Sequence, residues 1–186
     1  MQKTPKLGKI DWINAGFRAL CKGGANAIAI EPIARELKST KGSFYWHFKD
    51  LAALKSAMLD HYKTAGTEAI IIIANQKLTP IESLLFTIRS ALSPPNNDIG
   101  GRDAELAVRD WARWDVEAHE KISKIDDARI GFLLAKLIEI GHNQIEADKR
   151  ANILYATYLG AINMRAAGKE ISIETMTQFM IATIKL

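Results

Sequence analysis

The sequence predicts an all-α protein. Apolar residues recur at intervals of three and four along nearly the whole chain, and no stretch alternates apolar with polar residues long enough to make a strand. Clusters of glycine, proline and asparagine interrupt the pattern at helix-length intervals.

Taken in order, the first helix carries Ile10, Ile13, Phe17, Leu20 and Cys21 on one stripe and stops at Gly23-Gly24, where a glycine can adopt the left-handed cap conformation. A short second helix turns Ile30, Ile33, Ala34 and Leu37 inward and holds Pro32 in its first turn, where the missing N–H does no harm. After the connection Lys38-Ser39-Thr40, Phe44 and Phe48 stand four residues apart and anchor a third, one- to two-turn helix. Asp50 is a good N-cap for a long helix of about 24 residues, whose apolar set Leu51, Leu54, Met58, Tyr62 and Ala65 runs on to Ile70–Ile73. Pro80 starts a helix with Leu84, Leu85, Ile88 and Leu92, which ends at the loop Ser93-Pro94-Pro95-Asn96-Asn97-Asp98. Further helical patterns cover 103–114, 117–140, 146–167 and 172–185, with breaks near Asp115, Gly141-His142-Asn143 and Gly168-Lys169.

Composition narrows the classes. A chain of 186 residues with 48% hydrophobic and 25% charged residues can bury a core, and 12 Gly and 5 Pro fit neither a collagen nor a low-complexity sequence. One cysteine, Cys21, cannot make an internal disulfide and reads as a small buried hydrophobe in a reducing compartment. The basic start Met-Gln-Lys-Thr-Pro-Lys leads into no apolar run that a secretory signal needs, and the strongest run, Ala69 to Ala74, is far short of a bilayer span. A cytoplasmic protein with no membrane partner is expected. No nucleophile elbow, phosphate-binding glycine loop, His-Glu-x-x-His zinc motif or cysteine pair is present, so an enzyme is not expected. Asp115, His119 and Glu120 lack a second ligand pair at a recognisable spacing, so neither a metal nor another cofactor is expected.

Charge is distributed unevenly. Residues 1–63 hold eleven Lys/Arg against five Asp/Glu, a net +6, whereas the remainder holds fourteen against sixteen, a net −2. A basic first third suits a polyanionic partner. Two short helices joined by a tight turn, the second bearing polar and aromatic residues between lysines, match the helix-turn-helix that lays one helix in the DNA major groove. Lys41 and Lys49 can neutralise phosphates, and Tyr45 and His47 can hydrogen-bond to phosphate oxygens. Gly42 permits close backbone approach to the duplex, and Thr40, Ser43 and Trp46 are candidates for base-edge contact.

These residues carry a resemblance. Ile33-Ala34-Arg35-Glu36-Leu37, then Thr40-Lys41-Gly42-Ser43-Phe44-Tyr45-Trp46-His47-Phe48-Lys49-Asp50, then Leu54, resemble the N-terminal DNA-binding domain of TetR-family transcriptional regulators, and Arg109-Asp110-Trp111-Ala112-Arg113-Trp114-Asp115 is similar to a run in some members. The resemblance implies a three-helix helix-turn-helix domain over 1–50 and a helical effector-binding and dimerisation domain over 51–186. It also implies a homodimer, a palindromic double-stranded DNA operator, a small-molecule effector and, most often, repression. By position, Lys41, Tyr45, His47 and Lys49 would contact phosphates, and Thr40, Ser43 and Trp46 would lie near bases. Two positions depart from the family pattern: Ala29 replaces the usual Thr before the second helix, and Lys38-Ser39 replaces the usual Gly-Val of the turn. A lost N-cap costs about 1 kcal/mol, and a non-glycine residue at positive φ a comparable amount. The alternative is a helical interaction module that keeps the helix-turn-helix without operator binding.

In the C-terminal part, Phe86, Trp111, Trp114, Phe132, Tyr155 and Tyr158 are candidates to line an effector pocket, with Arg109, Asp115 and His119 to orient the ligand. Two late helices, bearing Ala151, Leu154, Tyr155, Tyr158, Ala161 and Ile162 and then Ile173, Met176, Phe179, Met180 and Ile184, are candidates for a four-helix dimer interface. Ala156 and Gly160 would let the helices approach closely.

Overall fold

The computed structural model describes residues 7–77, 79–93 and 103–184. The basic Lys3 and Lys6, and the loop expected at 93–98 from Pro94 onward, lie outside the described residues. Among the described residues the secondary structure is entirely helical. The helices are α1 (Lys9–Gly23), α2 (Ile30–Glu36), α3 (Lys41–Tyr45), α4 (Leu51–Lys63), α5 (Ala69–Ala74), α6 (Pro80–Leu92), α7 (Ala104–Ala112), α8 (Val116–Ile140), α9 (Gln144–Ala166) and α10 (Ile173–Ile184).

Local chemistry accounts for the boundaries. The side chain of Asp50 accepts the Ala53 N–H at 2.7 Å ahead of α4. Thr79 and Glu82 form a reciprocal capping box with Pro80 in the first turn of α6. Asn143 caps α9 by accepting the Glu146 N–H at 3.0 Å. The long helix expected after Asp50 is helical to Ala74 but not uniform: α4 and α5 are joined by a π turn over Thr64–Glu68. A π turn inserts one residue into the helical ladder and rotates everything after it, which sequence periodicity averages over.

The fold divides into two compact units, one built from the described residues of 1–62 and 95–121, the other from those of 63–94 and 122–186. The sequence predicts a boundary after residue 50, and the division by contacts falls after Tyr62 and takes the described residues of 95–121 into the first unit. Leu54, Met58, Leu59 and Tyr62 of α4 are buried within the first unit, whose core also holds Trp12, Phe17, Leu20, Phe44, Val108 and Trp111. Tyr62 donates its hydroxyl proton to the buried carboxylate of Glu105 on α7, which ties α4 to a helix distant in sequence. The second unit has its own core, in which α6, α8, α9 and α10 meet through Leu84, Ile88, Leu137, Leu154, Met176 and Met180.

Candidate nucleic-acid interface and effector cavity

The helix-turn-helix is organised from the inside. Phe44 is fully buried, with its ring edge-on to Trp12 at 5.4 Å and stacked on Phe48 at 5.6 Å. Phe48 lies just past the end of α3, and its N–H donates to Phe44 O at 3.0 Å, so the i, i+4 spacing still brings the two phenylalanines to one side and leaves most of the segment outside. Trp12, which lies outside the apolar stripe read from the sequence, is wholly buried and completes the seat for α3.

The turn adopts the geometry that its sequence disfavours. At the end of α2, the Lys38 N–H donates to Arg35 O at 3.1 Å and the Ser39 N–H to Ala34 O at 2.8 Å, with Lys38 at φ +50°. This is a Schellman cap, and its left-handed position is normally glycine. The ends of α8 and α9 show the same bond pattern with Gly141 and Gly168 in that place, so Lys38 carries strain that those turns avoid. Ala29 precedes α2 with no side-chain cap.

The candidate DNA-contacting residues come together around α3. Trp46 is 89% exposed and Tyr45 56% exposed, whereas His47 is half-buried beside Trp12. Thr40, Lys41, Gly42 and Lys49 are exposed and Ser43 is half-buried. Thr40 caps α3 by accepting the Ser43 N–H at 3.2 Å, so that N–H already has a partner. A Cβ on Gly42 would come no nearer than 3.6 Å to Thr40 Oγ1, so no contact within the protein demands glycine there. Lys41 is ion-paired with Glu31, which holds the Glu31 carboxyl below and the Lys41 ammonium above their ordinary values. The pair is exposed and weak, and a phosphate can replace Glu31 on Lys41. Lys49 lies 4.0 Å from Asp50, and the exposed Arg35 and Lys38 add two cations beyond those expected from the sequence.

The candidate effector residues do not come together. Arg109, Trp111, Trp114, Asp115 and His119 lie in the first unit. Arg109 pairs with Glu105 one turn away, and Trp111 is buried under Lys55, whose ammonium lies 5.8 Å from the ring centroid. Trp114 is 83% exposed, and His119 is exposed on α8. Asp115 caps α8 by accepting the Ala118 N–H at 3.0 Å. Burial pushes its carboxyl up, but that bond and the charge of Lys55 outweigh it and leave the group more acidic than usual. Phe86, in the second unit, is half-buried under Lys77 at 4.6 Å and is not in the lining of the cavity described below. Spacing marks each of these residues as inward or outward on its own helix but does not say which unit encloses the space.

A cavity lies in the second unit. It measures about 80 Å³, several times the ~10–15 Å³ that one water needs. Its walls are mostly apolar and include Ile71, Ile88, Leu133, Leu154, Met176 and Met180, and of the residues expected from sequence Phe132, Tyr155 and Tyr158 line it. Thr67, Thr87 and Arg129, which no motif or spacing in the sequence marks, supply polar groups to the lining. The Arg129 Nε donates to Thr67 Oγ1 at 2.9 Å and Nη2 to Gly66 O at 3.3 Å, both acceptors in the π turn. Tyr155 donates its hydroxyl proton to Asp126 Oδ1 at 2.5 Å.

Among the described residues no group of three metal-ligating side chains occurs, and no helix is long and apolar enough to cross a membrane. No protein-family model matches the chain, and no curated protein matches it. Solved structures do. A TetR transcriptional regulator from Legionella pneumophila aligns over 100% of both chains at 18% identity with a TM-score of 0.77. A TetR transcription regulator from Haloarcula marismortui aligns over 95% of both chains at 19% identity with a TM-score of 0.75. A protein from Saccharomonospora viridis described as a transcriptional regulator, in complex with choline, aligns over 95% of this chain and 94% of its own at 17% identity with a TM-score of 0.79. The chain thus has the two-domain, all-α fold of TetR-family transcriptional regulators along nearly its whole length.

Proposed function

We propose that the protein is a DNA-binding transcriptional regulator of the TetR type, not an enzyme, that acts in the cytoplasm as a homodimer on a palindromic operator, represses transcription and responds to a small apolar effector. One observation carries the reading: α3 is held by buried Phe44 while Thr40, Lys41, Gly42, Tyr45, Trp46 and Lys49 are exposed together around it, an arrangement suited to the major groove. The cavity supports the response to a ligand, and the choline complex of the S. viridis protein is an instance of this fold holding a small molecule.

An exposed apolar face supports the dimer, though not through most of the residues expected from sequence. Ala151, Leu154, Tyr155, Ala161, Ile162, Met176, Met180 and Ile184 are buried within the second unit itself. Ile153, Ala156, Gly160 and Met164 instead form an exposed stripe on α9, and Phe179 on α10 is 51% exposed. A Cβ on Gly160 would meet nothing, so a partner helix can approach closely there.

The test is a fluorescence-anisotropy titration with labelled duplexes from the DNA flanking the gene, at two salt concentrations and against a scrambled competitor. Competitor-resistant binding that weakens steeply with salt is expected. Lys49→Gln should weaken binding to all duplexes alike and reduce the salt slope by about one counterion. Equal binding to operator and scrambled DNA would overturn the reading.

A further inference from the structure

We propose that the cavity of the second unit takes an uncharged, mostly apolar molecule with one terminal hydrogen-bond acceptor, such as a medium-chain ketone, and that Arg129 is the donor that orients it. The inference rests on the reading of this cavity as the effector site.

The apolar walls call for an apolar body, since each CH₂ moved from water into such a lining favours binding. The polar end decides the head group. Asp126 and Arg129 are opposite charges one turn apart on α8, and the Tyr155 hydroxyl lies between them, 2.5 Å from Asp126 Oδ1 and 3.5 Å from Arg129 Nη1. Charge at that end is already balanced, so a ligand bringing a net charge would have to bury it without a counter-ion. A carboxylate would add a second anion beside Asp126, next to a phenol oxygen whose one proton is committed to Asp126. An ammonium would face the guanidinium, which lies over the Tyr158 ring at 6.0 Å from its centroid and already takes one aromatic face that a cation would use.

A neutral acceptor meets neither obstacle. The Nη1 bond to Tyr155 at 3.5 Å and the Nη2 bond to Gly66 at 3.3 Å are long for N–H···O bonds, whereas the Nε bond to Thr67 at 2.9 Å is ordinary. A ligand carbonyl can exchange for these two long bonds, while the Nε bond to Thr67 is among the interactions that hold the guanidinium in place. Binding would exchange the contact to Gly66 and so reach the π turn directly.

Three probes of equal carbon number separate the head groups: methyl pentyl ketone, heptanoate and heptylammonium. Each is titrated into the full-length protein while the thermal midpoint is followed, and each is then added to the protein–operator complex. The ketone is expected to bind at least about tenfold more tightly than either ion and to raise the midpoint by roughly 5–10 °C at about a hundredfold excess over its Kd. In Arg129→Met the ketone should lose about tenfold in affinity, and its preference over heptanoate should not increase. The ranking on the unaltered protein does not depend on that variant folding. Tighter binding of heptanoate or of heptylammonium, or no binding by the ketone up to its solubility limit, would overturn the proposal. A ketone that binds in the expected rank but leaves operator affinity unchanged upholds the proposal and overturns only the effector reading.

Discussion

Lys38 and Ala29 show how single residues set the quality of a turn whose shape is settled elsewhere. Lys38 completes a Schellman cap at φ +50°, and Ala29 leaves the start of α2 without a side-chain acceptor. Lys38→Gly and Ala29→Ser should each stabilise the protein, by about 0.5–1 kcal/mol and about 1 kcal/mol, and chemical denaturation should show the two adding. His61 packs beside Phe17, with ring centroids 6.4 Å apart, and burial holds its pKa below the ordinary 6.5. The folded state then binds fewer protons than the unfolded chain, so the contribution of His61 is complete above about pH 7 and is lost as the pH falls through 6.5 toward its folded value. Thermal midpoints between pH 5 and 7.5 should show that decline, and His61→Gln should flatten it. Cys21 illustrates a residue whose expected burial is only partial, yet burial, with a further push from Asp103, raises its thiol to about 11 and leaves it unreactive at neutral pH.

Among the elements, α3 depends most on others. Five residues cannot sustain a helix in water, so its existence follows from Phe44 filling the space against Trp12 and Phe48. Phe44→Ala should therefore cost about 3–5 kcal/mol and abolish DNA binding, whereas Tyr45→Phe should leave the denaturation midpoint unchanged and weaken only DNA binding. The segment from α4 to α5 teaches a different lesson. Its apolar spacing reads as one helix, yet the π turn rotates Gly66 and Thr67 so that both line the cavity and both accept hydrogen bonds from Arg129. Nothing in the composition of Thr-Ala-Gly-Thr-Glu marks a π turn, because a one-residue insertion in the ladder is decided by what packs against it.

For the whole molecule, the prediction is the assembly. The exposed stripe of Ile153, Ala156, Gly160 and Met164 with Phe179 is the surface on which a second copy would dock. Phe179→Asp, at an exposed site, should leave folding intact and shift sedimentation from dimer to monomer, with the operator-binding curve moving to higher protein concentration. A monomeric unaltered protein would remove the dimer from the reading.

Helix boundaries, caps and the helix-turn-helix were legible in the sequence because they are local: a cap needs three residues, an amphipathic helix a few turns, and the α3 pattern a dozen positions. The same locality explains a shared fold at 18% identity, since a periodic apolar pattern tolerates most substitutions. Tertiary structure alone decided which aromatic residues meet. It placed Trp111 and Trp114 in one unit and Phe132, Tyr155 and Tyr158 around a cavity in the other. It also brought Arg129, 62 residues from Thr67, into hydrogen-bond contact with it. A cavity is the space left between helices that the chain connects only through distant loops, so its lining and its charge balance exist only once those helices have packed.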